Sequence, residues 1–146
     1  MTDEDAIAWR LARLNTAFVH HYDRREHDEV LARFTPDAVY EVHGQVLHGH
    51  AEIKAVLDAR PGPELTVRHL VTNLHFHTIS DNDAHGASCL TAFVGPAPAG
   101  AGPARYPAAN AGHLTQLTDR YALHEGRWKI AGRIAEKLLV PATTVA

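Results

Sequence analysis

The sequence is poor in the residues and segments on which several classes of protein depend. It has one cysteine, Cys89, among 146 residues, which excludes an internal disulfide and a four-thiolate metal site. No apolar run approaches the roughly 18 residues that a membrane span needs. The acidic start, Met1 to Asp5, is unlike a secretory signal or transit peptide. These absences predict a cytoplasmic protein that does not bind a membrane.

Basic residues are also too few and too scattered for a nucleic-acid-binding protein. The chain has 14 Lys and Arg against 17 Asp and Glu, for a net charge of −3, and no basic cluster runs along one face. Gly95, Gly100 and Gly102 lie among prolines and alanines, not between a strand and a helix. They therefore do not form a phosphate-binding loop, and we expect no cofactor.

What the sequence has is enough apolar residues for one well-packed unit. Its length predicts a single domain over residues 1–146, and a chain of this size can bury a core or line a cavity. The hydrophobic fraction is 45% and the charged fraction 21%, both ordinary for a globular protein. Twelve histidines are the one unusual feature.

The first part of the sequence has helical patterns. Apolar residues recur at spacings of three and four from Ile7 to Tyr22, and Thr2 with Asp5 is a plausible capping pair. A second helix is predicted over 26–34, ended by Thr35-Pro36-Asp37. A strand at 38–42 turns at 43–45 and returns through 46–47, before a third helix at 50–59.

The second part of the sequence predicts strands. The long segments rich in β-branched, aromatic or apolar residues are 65–79, 84–94, 113–124 and 127–139. Residues 95–110 are almost entirely Gly, Ala and Pro and predict a mobile loop. Helices followed by long antiparallel strands indicate an α+β fold, with a curved sheet that leaves a cavity against the helices.

Two residues are candidates for acid–base chemistry. Asp23 follows the apolar Phe18 and Tyr22 at the end of the first helix, where its carboxylate lies either at the cavity or in solvent. His69 shares a strand face with Val71 and Asn73 by alternation, so its imidazole is either a general base or a histidine of the core. If the two meet, the carboxylate would select the imidazole tautomer and stabilise its protonated form.

Metal and nucleophile sites are less well supported. His75 and His77 share a strand face, but no third ligand follows at a usual spacing, so we expect no metal. His48 and His50 flank Gly49 at a strand-to-helix junction, where turn and cap roles explain them. Cys89 lies within a strand as a small hydrophobic residue, and no nucleophile-elbow motif is present.

Several short motifs, in a fixed order, span nearly the whole chain. They are Tyr22-Asp23-Arg24-Arg25, then Phe34-Thr35-Pro36-Asp37-Ala38-Val39-Tyr40, Leu47-His48-Gly49-His50-Ala51-Glu52-Ile53, His69 with Asn73, Thr118-Asp119-Arg120-Tyr121 and Gly126-Arg127-Trp128-Lys129-Ile130-Ala131-Gly132-Arg133. With these motifs the chain resembles the SnoaL-like branch of the nuclear-transport-factor-two-like superfamily. The resemblance implies a cone-shaped α+β barrel, in which a strongly curved antiparallel or mixed sheet wraps around about three helices. It often implies a homodimer formed through the outer face of the sheet.

The resemblance also implies roles for particular residues. In scytalone dehydratase-like and bile-acid dehydratase-like members, an Asp at the end of the first helix pairs with a sheet His, a pattern that falls on Asp23 and His69. A tyrosine of the first hairpin matches Tyr40, and an arginine of the last strand matches Arg133. Phe18 stands where the dehydratases have a second tyrosine.

These observations predict a cofactor-independent lyase or isomerase that acts on a small apolar carbonyl compound, such as a polyketide or steroid-like ring. Asp23, His69 and Tyr40 would be catalytic, and the substrate would contact Tyr22, Phe18, Asn73 and Arg133. For Arg133 an ion pair with Asp119 or Glu136 is the alternative. Two other functions remain open, because the fold does not determine function: a non-catalytic binding or assembly domain, and the small subunit of a ring-hydroxylating oxygenase.

Overall fold

The computed structural model of the protein describes residues 2–106 and 111–142. Three helices and six strands follow one another in the chain: α1 (Asp3–Asp23), α2 (His27–Leu31), β1 (Phe34–Val42), β2 (Gln45–His48), α3 (Gly49–Asp58), β3 (Leu65–Ile79), β4 (Asp83–Pro96), β5 (Ala111–His124) and β6 (Arg127–Leu139). No helix among these residues is long and apolar enough to cross a membrane.

Helix α1 forms as its pattern predicts. The Thr2 hydroxyl accepts the Asp5 backbone N–H at 3.1 Å, and the Asp5 carboxylate accepts the Thr2 backbone N–H at 2.9 Å. This reciprocal capping box satisfies two N–H groups that have no partner within the helix. Leu11, Leu14 and Phe18 form the buried side of α1, so this helix packs against the sheet along one stripe.

The strands form one mixed sheet with the order β2-β1-β6-β5-β4-β3. β1 and β6 run parallel, and the other neighbouring pairs are antiparallel. The sheet is curved and not closed, so the predicted α+β class is confirmed while the implied barrel is incomplete. The helices pack on the concave face, where the buried apolar residues lie.

The β1–β2 and β5–β6 hairpins both have tight two-residue turns. His43 and Gly44 between β1 and β2, and Glu125 and Gly126 between β5 and β6, all have positive φ angles between 49° and 74°. Positive φ at both central residues is typical of the type I′ turn, which matches the twist of antiparallel strands. The first of these turns holds His43 at the end of the short β1–β2 hairpin.

The predicted extent of the second helix is wrong at its end. α2 ends at Leu31, and Phe34 begins β1, where it pairs with Ile130 of β6 and is fully buried. Pro36 disfavours helical backbone in the residue before it, and the parallel partner strand supplies hydrogen bonds that a helix would otherwise provide. The backbone N–H of Ile130 donates to the Arg33 carbonyl at 2.8 Å.

The predicted loop at 95–110 begins later than expected. β4 continues to Pro96 because Gly95 and Pro96 pair with the start of β3. Tyr106 packs over this end of β4. A Cβ on Gly95 would lie 3.0 Å from the Tyr106 Cβ, and the ring centroids of Tyr106 and Phe93 are 6.3 Å apart. Residues 107–110, the end of the predicted loop, lie outside the described residues.

Candidate active site

The structure brings Asp23 and His69 into direct contact. Asp23 is the last residue of α1, and β3 passes beside it. The Asp23 Oδ1 lies 2.5 Å from the His69 Nδ1, and the Asp23 Oδ2 accepts the His69 backbone N–H at 2.8 Å. The Asp23 side chain is 4% exposed. Two hydrogen bonds to one residue therefore fix both the strand position and the ring orientation.

These contacts determine which ring nitrogen can act as a base. An ionised carboxylate only accepts hydrogen bonds, so the His69 Nδ1 carries the proton directed at Asp23. In the neutral ring the Nε2 then holds the lone pair, and no residue within 2–106 or 111–142 hydrogen-bonds it. The His69 side chain is 12% exposed. The pair can therefore remove a proton at Nε2 and stabilise the resulting imidazolium.

An apolar cavity of about 300 Å³ lies between α3, the β1–β2 hairpin and the end of α1. Its lining residues are Tyr22, Tyr40, Val42, His43, Gln45, Ile53, Val56, Leu57, Ala59, Arg60 and Pro61. Burial raises the pKa of Tyr40 far above its usual value, and it also raises the pKa of Tyr22. Both phenols are therefore neutral hydrogen-bond donors at ordinary pH.

Tyr22 connects the cavity with the acid–base pair. Its ring lines the cavity and meets the His69 ring edge-on, with centroids 5.3 Å apart. The Phe18 ring stacks on the Tyr22 ring, with centroids 5.5 Å apart. His69 and Phe18 are not themselves lining residues. Tyr22 and Tyr40 therefore contact the cavity directly, and His69 is one aromatic ring away from it.

The sequence interpretation missed Arg60 and His43. Arg60 comes just after Ala59, the C-cap residue of α3. Its guanidinium carbon lies 3.5 Å from the Tyr22 ring centroid, and its Nη1 donates to the Tyr22 carbonyl at 2.6 Å. In the sequence, a basic residue between a helix and Pro61 indicates only a cation that interacts with the negative end of the helix dipole. The packing of α3 on β1 and α2, which brings Arg60 to the cavity, has no local sequence signal.

Arg133 belongs to a buried polar network. It is 1% exposed, and its Nε and Nη2 donate to the two Asp119 carboxylate oxygens at 2.7 and 2.8 Å. Its Nη2 also donates to the Asn15 Oδ1 at 2.5 Å, and Tyr121 donates to Asp119 at 2.7 Å. Burial opposes the charge of Arg133, but the Asp119 carboxylate outweighs burial and raises the pKa of the guanidinium. Of the two roles considered for Arg133, the structure shows the ion pair with Asp119.

Asn73 lies away from the cavity. It is exposed and has a φ of 53°, at a bulge where the β3–β4 register shifts between Thr72 and His75. The predicted alternation from His69 through Val71 therefore stops before Asn73, because the extra residue reverses the faces of the strand. Position 73 is not among the cavity-lining residues.

Two histidine groups in the described residues bring imidazole rings close together. His75 and His77 are exposed neighbours with ring centroids 5.1 Å apart. One group, His20 with His21 and Glu26, brings three candidate ligand atoms together. Arg24 and Arg33 hydrogen-bond those two imidazoles at 3.0 Å. The guanidinium groups occupy the lone pairs that a metal would need and repel a cation.

Comparison with known proteins identifies the family. The SnoaL-like domain model matches residues 2–134, and the chain belongs to this family. Its fold is similar to that of a protein from Novosphingobium aromaticivorans provisionally assigned as a scytalone dehydratase, with 18% identity, a TM-score of 0.74 and coverage of 95% of this chain and 89% of that chain. No curated protein matches the sequence.

Two further structures show the same fold. A type 2 hexachlorocyclohexane dehydrochlorinase, LinA, has 16% identity and a TM-score of 0.74, with 99% of this chain and 95% of that chain covered. A protein of unknown function with a cystatin-like fold, from Nostoc punctiforme, has 18% identity and a TM-score of 0.71, with 97% of each chain covered. At identities this low, the similarity to these structures shows the fold alone.

Proposed function

We propose that the protein is a cofactor-independent lyase or isomerase that removes a proton next to a carbonyl group, most simply to eliminate water. The observation that carries this proposal is the paired geometry of Asp23 and His69. A buried carboxylate that holds a histidine by its Nδ1–H leaves a basic Nε2, the arrangement that general-base catalysis needs.

The proposed reaction is an elimination in which His69 holds the removed proton and returns it to the leaving group. The His69 Nε2 takes the proton from the carbon next to the carbonyl, and the electron pair moves to form an enolate. The enolate then expels hydroxide from the adjacent carbon, and the imidazolium returns the proton to this leaving group as water. Asp23 stabilises the imidazolium between these two steps. For an isomerase, the same proton would instead return to another carbon of the substrate.

Tyr40 is the proposed donor to the enolate oxygen. It is 6% exposed, it lines the cavity, and its hydroxyl makes no hydrogen bond to another described residue. A neutral phenol fixed before the reaction stabilises negative charge that develops on the carbonyl oxygen. The path to His69 passes Tyr22, so the substrate would approach the imidazole along the Tyr22 ring.

The names of two structural neighbours agree with this reaction class. A scytalone dehydratase removes water, and a dehydrochlorinase removes hydrogen chloride. Both names denote eliminations. We propose that this chain uses the same reaction class on a small, largely apolar carbonyl compound.

Two bicyclic compounds test the proposal. Exchange of the α-protons of 1-tetralone in D₂O, followed by NMR, reports proton removal even without a leaving group. Dehydration of 3-hydroxy-1-tetralone to 1-naphthol, followed by absorbance, reports elimination. We expect the wild-type protein to accelerate at least the exchange, and His69→Gln and Asp23→Asn each to lower the rate of the catalysed exchange by about 10²-fold or more. Equal rates in wild type and both variants would contradict the proposal.

A further inference from the structure

The cavity has a marked difference in polarity between its interior and its opening. Tyr40, Val42, Ile53 and Leu57 are buried, whereas His43, Gln45, Ala59 and Pro61 at the opening are exposed. Arg60 is half-buried between the two zones. A ligand that fits this cavity therefore meets an apolar interior and a polar opening.

Arg60 has unused hydrogen-bonding capacity at this opening. A guanidinium has five N–H donors, and within residues 2–106 and 111–142 Arg60 makes one side-chain hydrogen bond, from its Nη1 to the Tyr22 carbonyl. None of the salt bridges among those residues involves Arg60, and no Asp or Glu lines the cavity. Removing part of a guanidinium from water costs free energy unless the charge is paired, and the described partners of Arg60 are the Tyr22 carbonyl and the face of the Tyr22 ring, neither of which is a carboxylate.

Two positive charges act on His43 at the opening. Burial lowers the pKa of His43, and the positive charges of Lys137 and Arg60 lower it further. Gln45, beside His43, adds an amide donor to the cavity lining. The opening thus offers cationic and amide donors, and the cavity lining offers no carboxylate to compete for them.

We propose that the cavity takes a one- or two-ring apolar compound that carries a carboxylate, and that Arg60 binds this carboxylate at the opening. An apolar cavity of about 150 Å³ holds benzene, so a volume of about 300 Å³ suits one or two rings. Arginine binds carboxylates through two parallel hydrogen bonds, and the unused donors of Arg60 can supply them. The inference rests on the proposed function in taking this cavity as the substrate site.

Binding of two matched probes tests the inference without any turnover. The probes are 2-naphthoate and 2-naphthalenemethanol, which share the ring system and differ in charge, and calorimetry gives their Kd values. We expect the wild-type protein to bind 2-naphthoate about tenfold more tightly or better, the usual effect of a charge-assisted hydrogen bond. The ratio of the two Kd values should fall to about one in Arg60→Met and recover in part in Arg60→Lys.

The matched control is Arg10→Met, which removes an exposed guanidinium of α1 and should leave the ratio unchanged. Because the ratio compares two probes on the same variant, partial unfolding of Arg60→Met lowers both affinities and does not imitate the expected result. Equal affinity of both probes for the wild type, or a ratio that Arg60→Met preserves, would overturn the inference. So would the absence of binding by either probe. Proton exchange from 1-tetralone needs no carboxylate, so it tests the proposed function separately.

Discussion

The Asp23 carboxylate accepts two hydrogen bonds from His69, one from the ring Nδ1–H and one from the backbone N–H. The backbone bond anchors β3 to the end of α1, and the ring bond selects the tautomer. One buried acid therefore holds the strand and the ring together, and in the proposed mechanism it also stabilises the imidazolium, so removing its charge should affect both stability and turnover.

Asp23→Asn should lower turnover by about 10²-fold or more, the usual contribution of general acid–base catalysis. The amide can still accept one hydrogen bond, but it cannot stabilise the imidazolium. The measurement is kcat for dehydration or proton exchange, with thermal unfolding measured in parallel. Asp37→Asn, which changes an exposed carboxylate, is the control and should retain full activity. Full activity in Asp23→Asn would remove the acid–base role of this pair.

Tyr40→Phe should lower kcat by about 10²-fold while the protein stays folded. One lost donor to a developing oxyanion commonly has this effect. The fold should tolerate the change, because no described residue hydrogen-bonds the Tyr40 hydroxyl and the ring remains in the core beside Phe34, with centroids 5.3 Å apart. Steady-state kinetics and denaturant unfolding measure the two effects. A loss of stability with unchanged kcat would assign Tyr40 to the core alone.

Breaking the Arg133–Asp119 pair should destabilise the fold by about 3–5 kcal/mol, because it leaves a buried charge without its partner. The two side chains are 1% and 0% exposed. Urea unfolding of Asp119→Asn and Arg133→Met measures the effect. Lys54→Met, which removes an exposed pair with Asp58, is the control and should change stability far less. Losses in Asp119→Asn and Arg133→Met as small as that in Lys54→Met would show that the buried network contributes little.

Stability should fall as the pH rises above about 10, the usual pKa of a tyrosine. Burial raises the pKa of Tyr22, Tyr40 and Tyr121 in the folded state. The contribution of these tyrosines to the free energy of unfolding is complete below their pKa in the unfolded chain. It is lost as the pH rises toward their pKa values in the folded protein, because the unfolded chain then releases protons that the folded chain retains. Urea unfolding from pH 8 to 11 measures this slope. Tyr40→Phe should make the slope shallower; an increase in stability with pH would contradict the assignment.

The outer face of the sheet should mediate a homodimer, the association that the family resemblance implies. Leu70, Thr91, Leu114 and Leu139 are paired neighbours across four strands, and Leu70 and Leu139 are more than half exposed. Light scattering coupled to gel filtration should give a dimer for wild type and a monomer for Leu70→Lys. A monomeric wild-type protein would contradict this prediction.

Local patterns in the sequence were sufficient for most of the fold. The three–four spacing of apolar residues and the capping box predicted α1, and the ends of β3 and β6 lie where their composition placed them. Such features depend on contacts between residues close in sequence. The end of α2 was wrong because Phe34 takes its backbone partner from β6, a strand that lies far away in the sequence.

The candidate site likewise combines features that the sequence predicts with features that depend on tertiary packing. The residue types and the family motifs selected Asp23 and His69 as candidates, but their contact spans 46 positions and depends on how α1 crosses β3. The partner of Arg133 and the exposure of Asn73 depend on strand register, since one bulge reverses the faces of a strand. Arg60 had no local signal, because its position at the cavity follows from the packing of α3. The sequence by itself determined the helices, the strands and the available chemical groups. Tertiary packing decided which of these groups meet, because burial and register arise from contacts between distant segments.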